Sequence, residues 1–312
     1  MNIKEKILEF KTYKANWNGY DAEPFSDKVI ENALNLEKYL FYKKDFEPDI
    51  FPTAANSLQV EYEIGKDYLE IEIKENCFEI FKMIDSKEET KEIALDKIYE
   101  VINEIKLFYQ PKVSNLCLFT GAFNPISIAH FYMIDSANKA GNFDYIVFAI
   151  SNQKFLDRKQ RRAKDYAYSE VERLEFLLAA TYKCPNVLIF GVEQGYTYEV
   201  LCAVKEKYKC ESLYFALGSD KLKEIGRWGY HDKLLKEICF YILLRKDSLN
   251  VTKKKCDELF YQTKYIIGQD NEKYKDISST LIRQKIKDKE KKLKAGKNLW
   301  GNPQKDISWL FF

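Results

Sequence analysis

Histidine is almost missing from this 312-residue chain, which holds two, His130 and His231. The chain therefore cannot assemble a histidine-rich metal centre. Its seven cysteines are odd in number, irregularly spaced and never in a Cys-x-x-Cys pair, which argues against a disulfide framework and against a zinc site. No apolar run approaches the roughly 20 residues that a membrane span needs. The opening Met-Asn-Ile-Lys-Glu-Lys has neither the apolar core nor the small-residue cleavage site of a signal peptide. These absences point to a cytosolic protein with no membrane partner.

Arginine is missing too, but only from the first third. Residues 1–110 carry 15 Lys and no Arg against 24 Asp plus Glu, a net charge of −9, while residues 111–312 carry 35 basic and 24 acidic residues, a net of +11. A chain of this length is long for one core, and the asymmetry suggests an acidic domain over 1–110 and a basic one over 111–312. A basic second domain suits an anionic substrate. Packing of two oppositely charged domains accounts for the asymmetry equally well.

In the first domain, Ile3, Ile7, Leu8 and Phe10 fall at helical spacing within residues 1–14, and Ser26 is placed to cap a second helix running to Leu40. From Ile50 to Ile84 the period changes to two. Leu58-x-Val60-x-Tyr62-x-Ile64, Leu69-x-Ile71-x-Ile73 and Phe78-x-Ile80-Phe81 alternate as half-buried strands, with turns at Gly65-Lys66-Asp67 and Glu75-Asn76. That predicts an antiparallel meander, closed by a charged helix from Lys87 to Phe108. The domain is thus a small α+β unit without readable chemistry, and its expected role is regulatory, toward an unknown protein partner.

Pro111 marks the boundary. Beyond it, apolar runs at Leu116–Phe119, Tyr145–Ile150, Val187–Phe190, Leu213–Leu217, Phe240–Leu244 and Tyr265–Ile267 alternate with helical patterns near 128–140, 169–182, 197–208, 219–236 and 252–262. Continuous apolar strands between helices predict an α/β fold, a Rossmann-like doubly wound parallel sheet covered on both faces. Ligands of such sheets bind outside the carboxyl ends of the strands.

The first run feeds the stretch Gly121-Ala122-Phe123-Asn124-Pro125-Ile126-Ser127-Ile128-Ala129-His130. A strand breaking into a helix start is an anion site, because the first amides lack partners and the dipole is positive there. Downstream, Leu217-Gly218-Ser219-Asp220 ends another strand. In Asp276-Ile277-Ser278-Ser279-Thr280-Leu281-Ile282-Arg283, hydroxyl residues cap a helix and an arginine follows one turn later, placed to grip a phosphate.

The first stretch resembles the Gly-x-Phe-x-Pro-x-(His or Thr)-x-x-His signature of the nucleotidylyltransferase superfamily. The other two are similar to its Gly-x-Asp and Ile-Ser-Ser-Thr-x-x-Arg motifs. The likeness covers roughly residues 113–290 and is greatest to the nicotinamide and nicotinate mononucleotide adenylyltransferases. It implies an enzyme that joins ATP to a pyridine mononucleotide and releases pyrophosphate, with Mg²⁺ held mainly by the phosphates and no protein metal site. His130, Ser127 and Arg283 would be catalytic. Gly121, Ala122, Phe123, Gly218, Asp220, Ser279, Thr280 and Arg283 would bind ATP. Trp228 stands near an aromatic residue that stacks on the pyridine ring in this family, though it reads equally as a core tryptophan.

Two departures stand out: Ser127 replaces the commoner histidine or threonine, and Ala129 stands where many bacterial members have glycine. They leave open another phosphorylated acceptor, or a catalytically weak nucleotide sensor. The cationic run 153–164 reads either as a lid whose Lys154 or Arg158 holds substrate phosphate or as a solvated loop. Ser169 and Glu172 form a capping box at the helix bearing Arg173, and Thr197 reads as a cap. The lysines from Lys285 to Lys297 lack aromatic interleaving and read as a solvated helix rather than a nucleic-acid surface. The apolar end, Ile307 to Phe312, calls for a docking place on its own domain or on a second subunit.

Overall fold

A computed structural model of the chain describes residues 2–40, 43, 46–141, 143–154, 156–157, 168–244, 248–268, 279 and 281–285. The chain divides into two compact units, the first of residues 1–112 with 181–185, the second of 113–180 with 186–312. All seven cysteines are unpaired. Among the described residues no helix is long and apolar enough to cross a membrane.

In the first unit, α1 (Ile3–Phe10) begins with a reciprocal cap: the Glu5 amide donates to the Asn2 side chain, and the Asn2 amide to Glu5. Ser26 caps α2 (Asp27–Glu37), accepting from the Val29 amide at 3.3 Å. The sheet that follows has five strands, not three: β1 (Asp49–Pro52), β2 (Leu58–Ile64), β3 (Asp67–Ile73), β4 (Cys77–Ile84) and β5 (Lys87–Ala94), in chain order and antiparallel throughout. The expected helix over Lys87–Phe108 is therefore divided. Its first eight residues are the edge strand β5, and only Ile98–Tyr109 form a helix, α3. The physical reason is visible in β5. Its burial is confined mainly to Ile93, so the period-two signal vanishes, and edge strands tolerate charge because it discourages further pairing. The hairpin into β5 turns through Asp85 and Ser86, both at positive φ (50° and 62°), as a two-residue hairpin turn requires.

One face of this sheet buries Leu58, Val60, Leu69, Ile71, Phe78 and Ile80 beneath helix residues that include Val101, Ile102 and Ile105. Glu104 of α3 is buried in the same layer and receives Lys82 at 2.8 Å and Lys91 at 3.1 Å. Burial alone would raise its carboxyl, but the two ammonium groups hold it below the usual range. Lys106 is 1 % exposed and donates to the Thr181 carbonyl at 3.0 Å. Burial pushes its pKa down to about 7.

The second unit is built on β6 (Asn115–Gly121), β7 (Tyr145–Ile150), β8 (Val187–Gly191), β9 (Ser212–Gly218), β10 (Cys239–Leu243) and β11 (Tyr265–Ile267). Their order is β11-β10-β9-β6-β7-β8 and every pairing is parallel. All six residues of β7 are buried, as expected of an inner strand covered on both faces. The connecting helices are α4 (Ile128–Ala140), α5 (Glu170–Thr181), α6 (Thr197–Tyr208), α7 (His231–Glu237) and α8 (Leu249–Leu259). The expected doubly wound sheet is present.

The single helix expected over 219–236 is instead a 3₁₀ run, Ser219–Arg227, followed by α7. The break has a packing cause. At Gly229 a Cβ would meet the Tyr196 ring at 2.6 Å, and Tyr230 turns left-handed at φ 61°. The Ser169–Glu172 capping box forms at α5. Thr197 is not the cap of α6; Tyr196 takes that position, and Glu199 accepts its amide at 3.1 Å.

Candidate active site

Strand order locates a crevice before any side chain is considered. The chain steps from β6 outward to β7 and β8, then returns to lay β9 on the other side of β6. The direction of winding thus reverses between β6 and β9, the switch point at which open α/β sheets bind ligands. Pairing between these two strands ends at Leu118–Phe215, before β6 reaches Gly121 and β9 reaches Gly218. The two glycines finish neighbouring strands that have already parted.

The turn after β6 is held from several directions. Phe123 takes a left-handed φ of 43° and is 4 % exposed, an uncommon conformation for a bulky residue that persists only when surroundings enforce it. Its ring lies over Gly121, where a Cβ would come within 3.0 Å of it, and meets His130 and Phe148 edge-on, each at 5.1 Å. A larger residue at 121 would press on that ring, which would have to shift by a few tenths of an ångström. A cis peptide joins Asn124 to Pro125. Asn124 is 1 % exposed, and its side-chain oxygen accepts the Tyr168 amide at 3.0 Å.

The downstream motif closes on the same turn. The Ser279 hydroxyl donates to the Pro125 carbonyl at 2.8 Å, and Arg283, itself buried, donates to the Asn124 carbonyl at 2.6 Å. Segments more than 150 residues apart in sequence meet through direct bonds. Each bond also satisfies a carbonyl that the tight turn leaves without a ladder partner.

Ser127 caps α4 and is 1 % exposed; His130 stands one turn on. The Ser127 amide donates to His130 Nδ1 at 2.9 Å, and Ser127 Oγ lies 2.9 Å from the same nitrogen. Nδ1 is thereby an acceptor, so in the neutral ring the proton sits on Nε2. An Nε2–H at a helix start is the donor that a phosphate oxygen would meet. Ser127 thus orients the imidazole through its amide and its hydroxyl.

Arg173 extends this support sideways. It is wholly buried and donates to the Ala122 carbonyl at 2.8 Å, the Ser151 carbonyl at 2.9 Å and the Gln153 side chain at 3.2 Å. It thus ties the end of β6 to the end of β7. Burial lowers its pKa, with Glu170 and Asp157 opposing, and an arginine stays charged regardless. Neither this tie nor the role of Asn124 could be read from the sequence. An asparagine before proline at a strand end signals a turn, but nothing in it names Tyr168 and Arg283 as partners.

The other expected residues are placed as follows. Asp220 lies in the first turn of the 3₁₀ run after β9, and its Oδ1 is buried with no hydrogen-bond partner among the described residues. Lys154 is exposed in a helical segment just past β7, on the same edge of the sheet. Trp228 is half-buried and packs edge-on to Phe215 at 5.9 Å, so it is seated by the strand rather than by the signature turn. Arg158, Thr280 and the run beyond Lys285 lie outside the described residues.

Comparison with known proteins gives a family and several relatives. A family described as cytidylyltransferase-like matches residues 118–285. A protein of Lactococcus lactis described as a probable nicotinate-nucleotide adenylyltransferase is 31% identical over 137 residues, 43% of this chain and 68% of its own. One of Fusobacterium nucleatum with the same description is 29% identical over 179 residues, 56% and 89% of the two chains. Among solved structures, the nicotinic acid mononucleotide adenylyltransferase of Plasmodium falciparum complexed with NaAD is 22% identical with a TM-score of 0.44, covering 55% of this chain and 83% of that one.

Proposed function

The chain belongs to the cytidylyltransferase-like family through residues 118–285, and on that premise we propose that it transfers the adenylyl group of ATP to nicotinate or nicotinamide mononucleotide. The observation that carries the reading is the meeting of Ser279 and Arg283 with the turn that presents His130. That turn follows β6, while Gly218 ends β9 and Asp220 follows it, and between these two strands the winding reverses. The curated relatives described as probable nicotinate-nucleotide adenylyltransferases favour a pyridine mononucleotide as acceptor.

In this reaction a 5′-phosphate oxygen of the mononucleotide bonds to the α-phosphorus of ATP as the bridge to the β-phosphorus breaks, and pyrophosphate leaves. The attacking group is already an anion, so the chain need supply no side-chain nucleophile. Its work is alignment and stabilisation of charge on the departing phosphates. The Nε2–H of His130 donates to the triphosphate where that charge develops. Ser127 keeps the ring in the required tautomer, and the guanidinium of Arg283 adds positive charge at the same turn. The exposed Lys154 is available to the acceptor's phosphate, and Trp228 offers a half-buried ring for the pyridine.

A magnesium ion is expected with nucleotide substrates of this family. Among the described residues no three His, Cys, Asp or Glu side chains converge, while Asp220 holds an unpartnered carboxylate oxygen at the crevice. That donor set fits an ion carried mainly by phosphates and its own waters, with Asp220 the residue to hold it or a ribose hydroxyl. The ion would neutralise phosphate charge.

The test is pyrophosphate release from ATP across a panel of phosphorylated acceptors. Release with nicotinate or nicotinamide mononucleotide is the expected outcome. Release only with other acceptors would overturn the pyridine assignment while keeping the transfer. Nucleotide binding with no turnover on any acceptor would overturn the transfer itself.

A further inference from the structure

The sheet of the first unit has a second face, and its composition is one-sided. Strand register places Gln59, Glu72, Glu79 and Glu92 in one cross-strand row. The next row is Glu61, Glu70, Phe81 and Thr90, and the third is Glu63, Tyr68, Met83 and Glu88. Lysines at 82 and 91 belong to the opposite face, where they bind Glu104. Lys74, from the turn after β3, pairs with Glu72 and Glu79 at 3.1 and 2.9 Å.

Like charges directly opposite each other across strands are destabilising, and here glutamate faces glutamate from β2 to β5. Along β3 and β4 lie Tyr68, Phe81 and Met83, all half-buried, with Tyr68 and Phe81 in ring contact at 6.4 Å. The polar partners of these side chains lie in the sheet or in its own turns: Gln59 with Glu61, Tyr68 with Glu70, Ser57 with Glu72. Burial and the neighbouring Glu61, Glu72 and Glu79, partly offset by the Tyr68 hydroxyl, lift the Glu70 carboxyl above its ordinary value.

We propose that this face docks a cationic amphipathic helix of a partner protein, its apolar stripe on Tyr68, Phe81 and Met83 and its lysines or arginines among the flanking glutamates. Charge complementarity selects the occupant. An anionic nucleic acid or membrane surface would be repelled, and no three carboxylates among the described residues converge as a metal site would need. The dimensions suit a helix. Strands about 4.8 Å apart and about seven residues long make a face about 20 Å across, the length of a helix of roughly 13 residues. An amphipathic helix that lays its apolar face on a partner reads it with anchors spaced at i, i+3, i+4 and i+7. None of these residues belongs to the crevice between β6 and β9.

The test uses the full chain and a fluorescein-labelled synthetic peptide of about 14 residues, a leucine and phenylalanine stripe flanked by lysines, beside a scrambled peptide of the same composition. Anisotropy at about 0.15 M salt should show saturable binding of one peptide per chain. Phe81→Ser and Glu70→Lys should each weaken it about tenfold or more, as should scrambling, and all should leave pyrophosphate release unchanged. No saturable binding would overturn the proposal. So would equal affinity for the scrambled peptide or for the Phe81→Ser chain, since only diffuse charge would then be acting. Self-association of the chain that Glu70→Lys abolishes would place a second copy on the face and overturn the assignment to a foreign partner.

Discussion

The two sheets of this chain dispose of their polar groups in opposite ways. The antiparallel sheet buries one face and spreads its charge over the other, while beneath it lie Glu104, clamped by two lysines, and Lys106, whose proton burial loosens. The parallel sheet buries strands such as β7 completely and gathers its polar groups at the carboxyl edge, where β6 and β9 part. A surface can be lined with charge at little cost, but a reacting anion needs donors fixed in one place. The proposed chemistry therefore belongs to the edge of the second sheet, and the proposed docking to the surface of the first. Substitutions should separate the two: rate without stability in one unit, stability without rate in the other.

The largest expected effect is at His130. His130→Ala removes the donor at the start of α4 and should lower kcat/KM about 10²–10³-fold, roughly 3–4 kcal/mol of transition-state stabilisation. The thermal midpoint should move by a few degrees at most, because the Ser127 amide, the Ser127 hydroxyl and the Phe123 ring that the imidazole meets all lie within the one turn. Steady-state kinetics beside a melting curve checks both halves. Unchanged turnover would remove the edge of the sheet from the chemistry.

Much of that edge is legible in the sequence, for a physical reason. Inner parallel strands are continuous apolar runs, so Tyr145–Ile150 is bounded correctly from its residues alone; the short edge strand Tyr265–Ile267 is too, because its three residues are all apolar or aromatic. The start of α4 at Ile128 follows equally from Pro125 and Ser127. Where burial is one-sided the signal fades. Lys87–Ala94 pairs as a strand although its composition suits a helix, because backbone pairing with β4 decides what its side chains do not. The 3₁₀ run after Gly218 is hidden for another reason, since the ring of Tyr196 against Gly229 is a contact made only in the folded chain. The site shows the same division. The residue types at Gly121–His130 announce an anion-binding turn, but the bonds of Arg283, Ser279 and Arg173 to its carbonyls depend on tertiary placement.

The next effect in size falls in the first unit. Glu104→Ala leaves Lys82 and Lys91 without the carboxylate they share. Breaking a buried pair from one side costs about 3–5 kcal/mol, and the low end applies because Lys91 is a third exposed (32%). Denaturant unfolding should register a loss of about 3 kcal/mol, with pyrophosphate release at 25 °C unaltered. The carboxyl titrates below its usual range in the folded chain, so its contribution is full at neutral pH and fades as acid protonates it. A loss of turnover matching the loss of stability would mean that the two units are not separable.

Lys106 gives the smallest and most diagnostic effect. Its pKa is about 7 in the folded chain against about 10.4 for an unfolded lysine. Between these values the unfolded chain holds a proton that the folded chain has released. Stability must therefore rise with pH through this window and be lowest below it. From pH 7 to 9 the rise should be about 2 kcal/mol, since each unit of full titration is worth about 1.4 kcal/mol. Lys106→Met keeps much of the volume and removes the titration, so its stability should stay level over the same range, although the Thr181 carbonyl loses its donor. Arg173, equally buried, should produce no such slope, because a guanidinium keeps its proton throughout this range. A slope that survives Lys106→Met would have to come from another group and would remove the contrast between a buried cation that releases its proton and one that does not.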